Sequence, residues 1–98
     1  MRVPKRGKAI RHSYAVYVAL VQRRDELVSF LQSKGVDAKV HYPLPIHLME
    51  AARDLGYKDG DFPIAEAYCR ETITLPVHQF LSDEQVQYTA AQVRAFYA

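Results

Sequence analysis

The segment of residues 41–47, which reads His-Tyr-Pro-Leu-Pro-Ile-His, constrains the fold of this chain more than any other stretch. Its two prolines fix the backbone φ angle and remove two amide donors, so a sheet cannot continue through it. The segment follows an apolar-alternating run at residues 36–40, which predicts a strand. Two histidines and a tyrosine therefore stand on stiff backbone at a strand end, a position typical of binding residues. A proline-rich loop with incidental polar side chains also fits this pattern.

The composition limits the class of protein. The 98 residues fit one compact domain, and 49% hydrophobic with 24% charged residues is ordinary for a globular chain. No apolar run approaches the length of a membrane-spanning helix, and the basic N-terminus lacks the apolar core of a signal peptide. Cys69 is the one cysteine, which excludes an intrachain disulfide and a cysteine-rich metal site. These features predict a cytoplasmic protein with no membrane partner.

Positive charge is concentrated at the start of the chain. Residues 1–11 hold five basic residues and no acid, which leaves eight basic and eleven acidic residues in the rest. A basic arm can bind the phosphates of a nucleic acid, but the acidic body offers no basic face to extend it. We therefore expect residues 1–11 to be a tail or linker, and we do not expect nucleic acid as a partner.

The first part of the remaining domain, residues 12–98, predicts two strands joined by a helix. β-branched and aromatic residues predict a strand over residues 12–21. Helical spacing predicts a helix over residues 24–34 with Gly35 as its left-handed stop, and the charges at residues 23–26 are expected to be a solvated helix start. The second strand covers residues 36–42 and ends at Pro43.

The second part predicts three helices and one more strand. A short helix covers residues 48–55, and a longer one, capped by Asp61 with Pro63 in its first turn, runs to about Glu71. Residues 72–75 form the third strand, and the capping-box pattern of residues 82–85 opens the last helix. This order predicts an α+β domain: a small three-stranded, mostly antiparallel sheet with helices packed on one face. We expect the uncovered face of the sheet to dock against another domain or chain.

Five segments, in the same order and with matching spacings, resemble the C-terminal part of one enzyme family. They are His12-Ser13-Tyr14-Ala15-Val16-Tyr17-Val18, Arg24-Asp25-Glu26-Leu27, residues 35–47, Asp59-Gly60-Asp61-Phe62-Pro63, and Leu75-Pro76-Val77-His78 with Leu81-Ser82-Asp83-Glu84-Gln85. The family is that of the DegT/StrS-type pyridoxal-phosphate-dependent nucleotide-sugar aminotransferases, and the resemblance runs from about Arg11 to Tyr97. It implies a fold-type-I enzyme whose large α/β domain carries the cofactor and whose small C-terminal domain corresponds to residues 12–98.

The resemblance also implies an activity for the full-length enzyme. The family transfers an amino group, commonly from glutamate, to a nucleotide-linked keto sugar, with pyridoxal phosphate as the electron sink. The amino sugars serve surface polysaccharides or glycosylated antibiotics. The cofactor lysine belongs to the large domain, and none of the five lysines of this chain matches it. The resemblance therefore implies no catalytic and no cofactor-binding residue here, and an isolated chain that is inactive.

The same resemblance points to substrate-binding residues. A family His-Tyr pair that faces the active-site cleft and helps hold the sugar nucleotide matches His41 and Tyr42. His47 also matches a family position, either as a direct ligand or as a cap or packing residue for the following helix. Alternatively, His41 satisfies a backbone group and Tyr42 fills a domain interface. Ala15 stands where many members have a histidine, so a contact made by that histidine does not carry over to this chain. A metal site is not expected, because the spacing of His41, His47 and Glu50 fits no common zinc pattern.

Two functions of different classes stay open at this point. The first is the small domain of a sugar aminotransferase, which supplies substrate-binding and interface residues and whose partner is the large domain or a second copy in a homodimer. The second is a free-standing, non-catalytic binding or dimerisation module derived from that domain. Met1, directly ahead of an unusual basic segment, motivates the second. A reading frame that begins at Met1 would favour the module, and one that continues upstream would favour the enzyme.

Overall fold

The computed structural model describes all 98 residues and has the α+β architecture that the sequence predicts. Its strands are β1 (Tyr17–Leu20) and β2 (Thr72–Leu75), and its α-helices are α1 (Arg24–Ser33), α2 (Pro63–Glu71) and α3 (Asp83–Tyr97). Two 3₁₀ helices, Ile46–Leu48 and Glu50–Leu55, replace the single short helix predicted for residues 48–55. None of these helices is both long enough and apolar enough to cross a bilayer.

The sheet has two strands, not the predicted three. β1 and β2 pair antiparallel, with Val18 opposite Thr74. The strand predicted over residues 36–42 keeps a single bridge, in which Lys39 and Thr74 exchange backbone hydrogen bonds of 3.0 and 2.8 Å. The chain cannot extend this pairing, because the Ala38 amide turns back to the Val36 carbonyl oxygen at 2.8 Å and Pro43 follows closely.

The first strand is also shorter than residues 12–21. Tyr14 has a φ of 53°, a left-handed conformation that interrupts extended backbone and is uncommon for a side chain of this size. Pairing therefore begins only at Tyr17. On the outer edge of β1, Arg2 and Leu20 exchange backbone hydrogen bonds of 2.8 and 2.9 Å, so the basic N-terminal segment contacts the sheet at one point.

One face of the sheet carries the hydrophobic core. Strand residues on that face pack against α1 and α3. The buried members of this core are Ala19, Val21, Leu27, Leu31, Val36, Ala38, Ile73, Leu75 and Val93. Each large apolar side chain buried in this way contributes about 1.5–3 kcal/mol. The Phe30 and Phe96 rings, 5.5 Å apart, close the outer part of this layer. Helix α2 contacts β1 and leads directly into β2.

The charged start of α1 is exposed, as the sequence predicts, except for one residue, Arg24. Arg24 is only 9% exposed, and its Nη1 donates to the carbonyl oxygens of Cys69 and Thr72, both at 3.0 Å. Its Nε donates to Asp25 Oδ1 at 2.6 Å. A guanidinium can satisfy several acceptors at once, which lets this charge remain buried between α1 and the junction of α2 with β2.

The local signals at element ends are mostly confirmed. Gly35 has the left-handed φ of 78° expected after α1. Ser82 Oγ accepts from the Gln85 amide at 3.2 Å, and the Gln85 side chain accepts from the Ser82 amide at 2.9 Å, so the predicted capping box forms. The predicted cap of α2 is wrong, because Asp61 accepts from the Lys58 amide at 2.9 Å within the preceding turn.

Candidate functional site

His41 fixes the first end of the proline-rich segment (residues 41–47) to the sheet. Its Nδ1 lies 2.9 Å from Thr74 Oγ1, on the strand that also pairs with Lys39. The ring is half-buried, and the peptide bond to Tyr42 is cis. Because Thr74 engages Nδ1, the nitrogen left for another partner is Nε2. The backbone bridge and this side-chain contact together set where the segment leaves β2.

Tyr42 projects from the same point toward solvent. Its side chain is 69% exposed, and its ring meets the His41 ring edge-on at 5.4 Å. A phenol of this kind can stack on a planar or sugar ring and can also donate or accept a hydrogen bond. The structure thus brings His41 and Tyr42 together on one surface, as the sequence predicts, while their role in substrate binding stays a prediction.

A cleft of about 580 Å³ lies beside the proline-rich segment. The segment forms one wall, and residues of the 3₁₀ helices, the following turn and α2 complete it. Most of the lining is apolar, and hydrogen-bonding groups come mainly from His41, Tyr42, Tyr57 and Tyr68. Tyr57 and Tyr68 carry no signal in the sequence for a role in the cleft, because the turn and helix that hold them meet the proline-rich segment only in the folded chain.

His47 fixes the second end of the segment. It is 9% exposed, its Nε2 lies 2.8 Å from Glu66 Oε1, and its ring meets Phe62 at 4.8 Å. Its ring therefore lines the cleft while Nε2 is already engaged by a buried carboxylate. His47 thus lines the same cleft as His41 and Tyr42, but it lies at the buried side of the cleft wall. Direct contact of His47 with a substrate stays a prediction.

Glu66 is the buried charge that sequence reasoning missed. It is 5% exposed and accepts from the amides of Gly60, at 2.9 and 3.0 Å, and of Phe62, at 3.1 Å, in addition to His47. Burial acts most strongly and favours the neutral acid, yet the hydrogen bonds from Phe62, His47 and Gly60 outweigh it and hold the pKa of Glu66 below its ordinary value of 4.5. An acid near the start of a helix was the available signal, because free amides point there.

Comparison with known proteins identifies a family. A model described as the DegT/DnrJ/EryC1/StrS aminotransferase family matches residues 1–94. The match includes residues 1–10, which precede the resemblance noted above. Among curated proteins, the "Pleiotropic regulatory protein" of Geobacillus stearothermophilus is 38% identical over 96% of this chain. A dTDP-3-amino-3,4,6-trideoxy-alpha-D-glucose transaminase of Streptomyces venezuelae is 36% identical over 71% of this chain.

Solved structures agree on the fold. S. venezuelae DesV in complex with a ketimine intermediate superposes with a TM-score of 0.90 over 97% of this chain at 29% identity. A DegT DnrJ EryC1 StrS aminotransferase from Brucella abortus superposes with a TM-score of 0.86 at 28% identity. This chain spans only 25% and 18% of the two curated relatives and 26% of each solved chain.

Proposed function

This chain belongs to the DegT/DnrJ/EryC1/StrS aminotransferase family, and we propose that it forms the C-terminal small domain of a nucleotide-sugar aminotransferase. The observation that carries the proposal is the superposition on S. venezuelae DesV, which was solved in complex with a ketimine intermediate. The TM-score is 0.90, and the superposition covers 97% of this chain and 26% of DesV. Relatives named as transaminases of dTDP-linked amino sugars support a nucleotide-linked keto sugar as the substrate class of the whole enzyme.

In this proposal, His41 and Tyr42 contact the substrate. Their rings share one surface of the cleft, and their free groups, an imidazole nitrogen and a phenol, suit the hydroxyls of a sugar or the oxygens of a diphosphate. The exposed face of the Tyr42 ring can also stack on a sugar or base. His47 contributes to the same binding site from the buried side of the cleft.

The lysines of this chain do not fit a pyridoxal-phosphate site. All five are exposed; Lys39 Nζ pairs with Asp37 at 3.1 Å, and Lys34 Nζ lies 5.5 Å from the centre of the Phe30 ring. A lysine that forms a Schiff base needs a desolvated or cationic setting that favours its neutral amine, and exposure does not provide one. We therefore place the cofactor lysine of the enzyme outside residues 1–98.

The apolar rim of the cleft suits a partner surface. Ile46 is 76% exposed and Leu55 is 67% exposed, and both line the cleft. Exposed apolar residues that cluster in this way are typical of interfaces. We propose that the large domain of the same enzyme, or a second copy in a homodimer, covers this rim, and that residues 1–11 lead into the small domain as a linker.

Titration of the full chain with dTDP-glucose, followed by NMR, tests the substrate-binding part. We expect resonances of His41 and Tyr42 to shift, and Tyr42→Ala to weaken binding by about tenfold, which corresponds to one stacked or hydrogen-bonded contact. Tyr88→Ala is the matched control, because Tyr88 is an exposed tyrosine on α3 outside the cleft. Shifts confined to other residues, or no shift at all, would contradict the proposed site.

Reduction with borohydride in the presence of pyridoxal phosphate tests the cofactor part. We expect weak labelling spread over several exposed lysines and no absorbance of a stable aldimine. One lysine labelled stoichiometrically, with that absorbance, would contradict the placement of the cofactor lysine outside this chain.

A further inference from the structure

We propose that Glu66 is a positioning residue that, through His47, sets where Tyr42 stands in the cleft. The inference rests on the proposed function, because substrate binding by His41 and Tyr42 is what the positioning would serve. Glu66 itself lies behind His47 at the buried side of the cleft wall and would not contact the substrate.

The proline-rich segment is held at both ends by side-chain contacts. His41 is joined to β2 through Thr74 at 2.9 Å, and His47 is joined to α2 through Glu66 at 2.8 Å. Pro43 and Pro45 lie between them and fix φ, so this stretch has few ways to relax locally. A displacement of His47 is therefore transmitted along stiff backbone toward Tyr42 instead of being absorbed by an intervening flexible turn.

Tyr42 depends on this arrangement because little else holds it. Its side chain is 69% exposed, and its one aromatic neighbour is the edge of the His41 ring. The ring position is therefore set by the backbone that carries it. A binding side chain that is already in place before the ligand arrives loses less conformational entropy on binding. If the segment is loosened, Tyr42 loses that entropy when the ligand binds, and the affinity falls.

Glu66 is suited to be the fixed point of this arrangement. One oxygen, Oε1, accepts from His47 and from the amides of Gly60 and Phe62, and Oε2 accepts from Gly60 as well. The same carboxylate thus joins the end of the proline-rich segment, the turn before α2 and the start of α2. Shortening the side chain by one methylene withdraws the carboxylate from His47, whereas glutamine keeps the length and one acceptor oxygen.

A series of variants in the full chain tests the proposal: Glu66→Gln, Glu66→Asp and Glu66→Ala, with Glu71→Gln as the matched control. Glu71 is on the same helix, but its carboxylate pairs with Arg2 at 2.6 Å outside the cleft. We expect Glu66→Asp and Glu66→Ala to shift the ring resonances of Tyr42 and to raise the Kd for dTDP-glucose by about tenfold, as expected for lost pre-organisation. Glu66→Gln should recover most of the wild-type affinity, and Glu71→Gln should match wild type.

The outcomes separate this proposal from the proposed function. If wild type does not bind dTDP-glucose, the proposed function is contradicted, while Tyr42 ring resonances in the ligand-free variants still decide the positioning role. Unchanged Tyr42 resonances in Glu66→Ala, with the amide resonances of β1 and β2 showing an intact fold, would overturn the positioning role. Should Glu66→Ala fail to fold, Glu66→Asp provides the same comparison, since it retains the charge and most of the side chain.

Discussion

The guanidinium of Arg24 lies 3.0 Å from the carbonyl oxygen of Thr72, which joins the first residue of α1 to the first residue of β2. The same nitrogen also reaches the carbonyl oxygen of Cys69 in α2. One buried side chain of α1 therefore contacts the junction of α2 and β2, which lies more than 40 residues away along the chain. The contact stabilises the fold at the point where α2 ends and β2 begins.

We expect Arg24→Ala to lower the free energy of unfolding by about 2–4 kcal/mol, because it removes charge-assisted hydrogen bonds and leaves buried carbonyl oxygens unpaired. Arg24→Lys should fall between wild type and Arg24→Ala, since an ammonium lacks the planar fork. Urea denaturation of the full chain measures both. Arg70→Ala, at an exposed arginine in α2, should cost less than about 1 kcal/mol. Equal losses for Arg24→Ala and Arg70→Ala would contradict the role of Arg24.

Helix ends and caps that depend on residues within one turn could be predicted from the sequence. The stop at Gly35, Pro63 at the start of α2 and the reciprocal pair of Ser82 and Gln85 depend on backbone sterics and hydrogen bonds within one turn. The α+β class follows from the order of these elements. The second predicted strand, residues 36–42, was wrong because its alternating pattern does not reveal the turn at Ala38, which reduces the strand to one bridge.

The side chains that organise the candidate site were beyond sequence reasoning, because their partners are distant. Thr74 is 33 residues from His41, and Glu66 is 19 residues from His47. Composition and periodicity rank a charged residue as exposed unless its partner is known, so Arg24 and Glu66 were both placed on the surface or passed over. The stiffness of the proline-rich segment was predictable, whereas the two contacts that fix its ends were not.

The capping box of α3 gives a second prediction. Ser82→Ala removes the hydroxyl that accepts from the Gln85 amide, and we expect it to lower the free energy of unfolding by about 1 kcal/mol. Ser29→Ala is the matched control, since Ser29 is exposed within α1 and alanine suits a helix interior at least as well. Urea midpoints of the two variants should differ in that direction. A midpoint for Ser82→Ala equal to that of Ser29→Ala would show that the box does not stabilise α3.

Acid should weaken the fold through Glu66. Its pKa in the folded chain lies below the ordinary value of 4.5, because hydrogen bonds to the carboxylate outweigh the effect of burial. The unfolded chain therefore takes up a proton first as the pH falls, so this stabilisation is complete above pH 4.5 and is lost as the pH falls through the lowered pKa. The urea midpoints of wild type and Glu66→Gln, measured from pH 6 downward, should converge in acid. Parallel pH profiles for the two proteins would contradict this assignment.

Two threonines on the same face of β2 give the last prediction, because they are equivalent in sequence and differ in their partners. Thr74 Oγ1 contacts His41 Nδ1 at 2.9 Å, whereas the buried Thr72 Oγ1 has no hydrogen-bond partner. Thr74→Val should cost about 1 kcal/mol and move the ring resonances of His41 and Tyr42, since it releases the first end of the proline-rich segment. Thr72→Val should be neutral or stabilising by up to about 1 kcal/mol, because it replaces an unpaired hydroxyl with a methyl group, and it should leave those ring resonances in place. Urea denaturation and imidazole ¹⁵N shifts measure the pair, and identical effects of the two substitutions would show that Thr74 does not hold His41.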